Sequence, residues 1–173
     1  MVLKELLTSK SQEYYTPVEA ILPILPYIKN FKKVWCPFDT AESNYVKVLR
    51  EYGHEVVYSH IDEGENFFLT EPKDCDIIIS NIPFNQKTEI FEKLFQLGKP
   101  FMILISNLSI LDTTKRWELF SKNPFEIMVF DKRVRYFLDY GNQEEYTNPP
   151  FNSWYVCSKV LPEKIIFERL DRQ

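Results

Sequence analysis

Asp76-Ile77-Ile78-Ile79-Ser80 constrains the fold more than any other stretch of the chain. A short, unbroken apolar run has no wet face, so it belongs in a strand covered on both sides, as at the centre of a parallel sheet. Phe101-Met102-Ile103-Leu104-Ile105 is a second run of this kind. Lys33-Val34-Trp35-Cys36, Glu55-Val56-Val57-Tyr58 and Glu126-Ile127-Met128-Val129-Phe130 read as further strands. Helical spacing fills the gaps between them. Tyr45, Val48, Leu49 and Tyr52 fall at i, i+3, i+4 and i+7 ahead of Gly53, and Ile90, Phe91, Leu94 and Phe95 precede Gly98. A third helix is expected over 113–120. The alternation predicts an α/β fold with a mostly parallel sheet and helices on both faces. Strands at 153–157 and 165–167 are expected to form an antiparallel edge, and Phe67-Phe68-Leu69 reads as a short edge strand.

Thr16-Pro17-Val18-Glu19 spells a capping box with proline at the first helical position, and Pro23 or Pro26 should bend or stop the helix that follows. Residues 1–13 read as a partly helical N-terminal arm. The 173 residues fit one domain, 1–173, with 45% hydrophobic content to fill its core. A net charge of −4 means that nucleic-acid binding would have to rest on a local patch. Cys36, Cys75 and Cys157 are odd in number and widely spaced, which suits reduced thiols in the cytoplasm. With only two histidines, a metal site is not expected. Neither a signal peptide nor a membrane span is expected from the hydropathy pattern.

Two stretches compete as the chemical centre. Asn81-Ile82-Pro83-Phe84 comes directly off the buried run, which puts Asn81 at the carboxyl end of a central strand, where open α/β sheets place ligands. Asn148-Pro149-Pro150-Phe151 is closer in spelling to an Asn-Pro-Pro-aromatic motif, but it follows the polar segment 141–147 and sits in a loop. Context favours Asn81. The same residues also fit an ordinary strand-ending turn with Phe84 in the core.

Tyr14-Tyr15-Thr16-Pro17, Trp35-Cys36-Pro37-Phe38-Asp39, Asn81-Ile82-Pro83-Phe84 and Pro149-Pro150-Phe151-Asn152-Ser153-Trp154-Tyr155 occur in an order that resembles the small phage-type adenine-N6 methyltransferases. These belong to the class I S-adenosylmethionine-dependent enzymes, whose Rossmann-like fold the resemblance implies for the chain. It further implies that Asn81 and the Ile82 carbonyl accept the two N–H bonds of the adenine amine, with Pro83 shaping the turn and Phe84 stacking on the extruded base. Ile82 stands where the family has proline, so the turn is looser while its carbonyl remains.

For the donor, the resemblance implies Tyr15, Thr16 and Pro17, with Pro37, Phe38 and Asp39 after the first strand and Asp62 after the second. Thr16 fits a helix cap equally well. The family's acid at the first strand falls on Cys36 and its glycine places on Thr40 and Glu42, so 39–43 contains no glycine to let a ligand approach the backbone. His60 reads as a structural loop histidine. For nucleic acid, the resemblance implies Lys132, Arg133, Arg135 and Tyr136, with Phe151 and Trp154 completing the base pocket. Residues 131–137 equally fit an alternating strand with solvated charges, and Pro149-Pro150 fits a rigid loop.

The expectation is methyl transfer from S-adenosylmethionine to adenine N6, most simply in DNA. The alternative is a degenerate methyltransferase fold that binds nucleic acid or a protein partner without catalysis, for example a phage-encoded inhibitor of a host defence nuclease. RNA adenine or a protein glutamine amide is a third acceptor class. The oligomeric state is not specified by the sequence.

Overall fold

A computed structural model of the chain describes residues 14–83, 85–108 and 110–171. The expected arm at 1–13 and Phe84 of the central motif lie outside the described residues. The chain begins with α1 (Val18–Ile21), a 3-10 turn (Leu22–Ile24) and α2 (Leu25–Ile28). Pro23 and Pro26 each lie near the start of the next short piece, so prolines divide this stretch as the sequence leads one to expect. Next come β1 (Lys33–Cys36), α3 (Asn44–Glu51), β2 (Glu55–Tyr58), β3 (Ile77–Asn81), α4 (Lys87–Leu97), β4 (Phe101–Ser106), α5 (Thr114–Lys122) and β5 (Glu126–Phe130). The remaining strands are β6 (Tyr136–Phe137), β7 (Tyr146–Thr147), β8 (Ser153–Ser158) and β9 (Ile165–Glu168).

Seven strands form one sheet in the order β2-β1-β3-β4-β8-β5-β9, while β6 and β7 pair separately. β2, β1, β3 and β4 run parallel, β9 runs parallel to β5, and β8 alone is antiparallel to both its neighbours. The Rossmann-like methyltransferase architecture expected from the sequence is therefore the fold observed, with one correction. The antiparallel strand lies inside the sheet, between β4 and β5, and not at its edge. Burial explains this: β8 is enclosed along almost its whole length, as an interior strand must be, whereas β9 exposes every second residue. Phe67-Phe68-Leu69 is also corrected: it forms turns, with Phe68 N–H donating to Asn66 Oδ1 at 2.9 Å.

Strand alternation sorts the core into two layers. Val34, Cys36, Ile77, Ile79, Met102, Leu104, Tyr155 and Cys157 point to one face and meet α1, α2 and α3. Trp35, Ile78, Phe101, Ile103 and Ile105 point to the other, against α4 and α5. α3 and α4, one in each layer, carry the apolar stripes read in the sequence. Ser43 caps α3 by accepting from Tyr45 N–H at 3.2 Å, and Gly98 closes α4 at φ 65°. Among the described residues, no helix is long and apolar enough to cross a membrane.

Candidate functional site

The connection from β1 runs to β2 on one side and that from β3 runs to β4 on the other, so a crevice opens between the carboxyl ends of the neighbouring strands β1 and β3. A cavity of about 500 Å³ occupies that crevice, within the usual size range for small-molecule sites. Its walls come from the segment after β1 (Pro37 to Ser43), the end of β2 (His60 to Asp62), the turn after β3 (Asn81 to Pro83), and Tyr14, Tyr15 and Thr16. Of the residues singled out in the sequence, Tyr15, Thr16, Pro37, Phe38, Asp39, Asp62, Asn81, Ile82 and Pro83 line this one cavity. Pro17 is buried beside it and does not line it.

Asn81 ends β3, where the ladder to β4 pairs it with Leu104. Its amide Nδ2 donates to the Tyr14 carbonyl at 3.1 Å. A carbonyl can only accept, so this contact fixes the orientation of the amide. Oδ1 is consequently turned the other way, buried and without a hydrogen-bond partner among the described residues. An unpaired buried acceptor is costly, of order 1–3 kcal/mol, and Asn81 is one of the residues that line the cavity. Ile82 anchors the turn through a side chain enclosed in the core, while Pro83 is exposed.

The backbone of 14–16 is pinned from two sides. Asn44 Nδ2 donates to the Thr16 carbonyl at 3.0 Å, opposite the Asn81 contact on Tyr14. Tyr15 pairs in antiparallel fashion with Phe137, and its ring stacks on Tyr140 at 4.0 Å. Thr16 does not cap the helix. The capping position falls on Pro17, whose extended backbone (ψ 156°) places Thr16 one residue too far away. The Thr16 hydroxyl is instead a second buried oxygen on the cavity wall with no partner among the described residues.

Asp39 is 7% exposed, and both carboxylate oxygens are engaged. The Ser43 hydroxyl donates to one and the Ser80 hydroxyl to the other, the latter at 2.5 Å. Burial pushes its pKa up to about 6, although the two hydroxyls and His60 pull the other way. Asp39 therefore joins the ends of β1 and β3 to the cap of α3, as a latch in the cavity floor. Cys36 is fully enclosed, and burial pushes its thiol pKa well up. Asp62 is open at the rim, and His60 closes its own turn by accepting from Asp62 N–H at 3.1 Å.

The turn without glycine is unstrained, because among the described residues only Lys159 has positive φ without being glycine. Thr40 and Glu42 do line the cavity, so their side chains occupy space that glycine would leave open.

Asp39, Glu42, Asp62 and Glu65 line the cavity, and no Lys or Arg does so among the described residues. Phosphate groups seek cations and unpaired N–H groups, so this lining disfavours a dinucleotide or nucleoside triphosphate. A neutral or cationic ligand suits it better, and Phe38, Phe67 and Phe68 give the cavity an aromatic wall. Glu65, Phe67 and Tyr140 escaped the sequence reading because their placement depends on loops with no periodic signal. Among the described residues there is no cluster of His, Cys, Asp and Glu able to hold a metal ion.

The six residues associated with nucleic acid lie elsewhere; none lines the cavity. Tyr136 is fully enclosed, its hydroxyl 2.6 Å from Ser153 Oγ, which corrects its expected role as a base support. Trp154 is half-buried in the core layer facing α4 and α5. Phe151 packs edge-on against Tyr14 at 6.2 Å. Lys132 reaches the Leu170 carbonyl, Arg133 is exposed, and Arg135 lies 4.6 Å over the Tyr146 ring. Residues 131–135 form a loop leaving β5, so the alternating strand expected there is limited to β6.

Neither a protein-family model nor a curated protein matches the chain. Among solved structures, it is similar to a modification subunit of an inferred type I restriction enzyme from Vibrio vulnificus YJ016 (TM-score 0.53, 12% identity). That superposition covers 99% of this chain and 50% of the other, so the chain spans about half the length of that structure. An inferred methyltransferase from Thermoplasma acidophilum superposes more loosely (TM-score 0.38, 13% identity, 90% of this chain and 68% of that one). The first of these similarities supports a shared fold.

Proposed function

We propose that this chain transfers a methyl group from S-adenosylmethionine to the N6 amine of adenine in DNA. The observation that carries the reading is the buried, unpartnered Oδ1 of Asn81, a residue of the cavity lining whose amide orientation is fixed by the Tyr14 carbonyl. The acidic lining, free of Lys and Arg among the described residues, suits a ligand that carries a sulfonium and an ammonium.

S-adenosylmethionine, when bound, supplies an electrophilic methyl group. Asp62 at the rim, the Thr16 hydroxyl and the wall of Phe38 and Phe67 are the groups that would hold it. Asn81 Oδ1 and the Ile82 carbonyl accept the two N–H bonds of the target amine, which loosens the nitrogen lone pair from the ring. As a neutral amide, Asn81 positions the amine and takes no proton from it. The gain is mainly one of proximity and orientation. Phe84 is the residue assigned to stack on the base. Such a base has to leave the duplex, because its amine cannot reach a methyl donor inside it.

Titration calorimetry with S-adenosylmethionine tests the reading, with micromolar affinity expected. In Asn81→Ala, methyl incorporation into unmodified DNA should fall about 100-fold or more, with donor affinity intact, as when an oriented hydrogen-bond partner is lost. Unchanged turnover in that variant would remove Asn81 from the mechanism. One observation favours a second reading, a methyltransferase fold that binds a partner without catalysis: Thr40 and Glu42 project side chains into the cavity where the family has glycine. Absence of donor binding at millimolar concentration would select it.

A further inference from the structure

Among the described residues, strand β9 is an open edge of the seven-stranded sheet, and its residues alternate between exposed and half-buried. Lys164 and Glu168 turn their carbonyls inward, accepting from Ile127 N–H at 2.8 Å and Asp131 N–H at 3.1 Å. By strand alternation, the backbone groups of Ile165 and Phe167 face outward. These two residues also carry the exposed apolar side chains of the edge, at 53% and 79%. Proteins usually blunt such an edge with charge, proline or a bulge; here two large apolar groups stand on it.

The flanking sequence shows what fits there. Glu163-Lys164-Ile165-Ile166-Phe167-Glu168-Arg169 is complementary to itself when reversed about Ile166. Glu163 falls opposite Arg169, Lys164 opposite Glu168, and Ile165 opposite Phe167. The hydrogen-bonding phase agrees with this register. The outward-facing Ile165 and Phe167 become hydrogen-bonded partners, while Ile166, which faces β5, falls at a pair without hydrogen bonds. Glu163, Lys164 and Arg169 have no salt bridge or side-chain hydrogen bond among the described residues.

We infer that β9 is the docking edge for a second copy of this chain, joined antiparallel about a two-fold axis at Ile166. The two sheets would then continue into one of fourteen strands, twice the seven of one copy. Ile165 and Phe167 from both copies would form an apolar cluster on one face, flanked by two Glu163–Arg169 pairs. A seam this short buries less than the roughly 1,200–2,000 Å² of a stable interface, so the dimer is of the weak, concentration-dependent kind. This inference is independent of the proposed catalytic reading.

Sedimentation velocity of the whole chain from low to high micromolar concentration tests it, with a monomer converting to a dimer expected. Phe167→Lys, at a side chain mostly in water, should weaken the dimer about tenfold or more, with an unchanged circular dichroism melt. The register has its own control. Glu163→Arg and Arg169→Glu should each weaken self-association, whereas an equimolar mixture of the two variants should recover it as heterodimer. A monomer at every concentration overturns the inference, as does a dimer that Phe167→Lys leaves intact. A mixture no better than its components overturns the antiparallel register.

Discussion

Asp39 keeps its carboxylate where water barely reaches, between two serine hydroxyls. Its pKa is raised from 3.8 to about 6, chiefly by burial. Between those values the folded protein holds a proton that the unfolded chain has released, so stability falls as pH rises through the window and is level above it. At about 1.4 kcal/mol per tenfold change, the penalty at neutral pH is of order 3 kcal/mol. Asp39→Asn should therefore gain stability relative to the parent between about pH 4 and pH 6 and melt higher at pH 7. Parallel melting curves across that range would rule out Asp39 as the titrating group. The sequence led to Asp39 because it follows a strand, but as a ligand contact. Its role as a latch was not legible, since Ser80 lies 41 positions away in sequence. Asn81 was easier to find, because the apolar run leading into it marks the strand end. The failure of Thr16 to cap turns on a single residue of phase, which spelling does not fix.

The segment after β1 and the helix it caps carry two tests. Thr40→Gly with Glu42→Gly should tighten binding of S-adenosylmethionine if side-chain bulk is what restricts the cavity, while lowering the melting temperature through added chain freedom. Unchanged or weaker affinity would place the restriction elsewhere. Beneath the segment, the Tyr155 hydroxyl donates to the Ala20 carbonyl at 3.1 Å and lies 2.7 Å from the Tyr45 hydroxyl. Tyr155 can give its one proton only once, so Tyr45 is the donor between the two. Tyr155→Phe leaves both Tyr45 and the Ala20 carbonyl without that partner, whereas Tyr45→Phe removes one donor. Unfolding titrations should show about 2 kcal/mol lost for Tyr155→Phe and about half that for Tyr45→Phe; equal losses would contradict this direction of donation. α3 and α4 were legible from their apolar stripes, and β3 and β4 from their unbroken apolar runs. Phe67-Phe68-Leu69 misled because its aromatic residues, which favour strands, are used to wall a cavity. Strand order escaped as well, because pairing β8 with β4 joins residues about fifty apart, whose partnership no local pattern records.

At the scale of the whole molecule, protection should follow depth in the sheet. Native-state hydrogen exchange is expected to be slowest in β3, β4 and β8, which have strands on both sides, and faster in β2, β9 and the β6–β7 pair. Raising protein concentration should slow the outward amides of Ile165 and Phe167 in particular, and uniform protection across the edge strands would argue against this ranking. Beyond the catalytic question, the interior place of β8 has a consequence for how the protein is made. β4 and β5 are both synthesised before residues 153–158 exist to join them. Until then, the nascent chain holds a four-stranded half with a bare flank and a separate strand waiting for its neighbour. Translation that stalls between residues 130 and 153 should release fragments that clump.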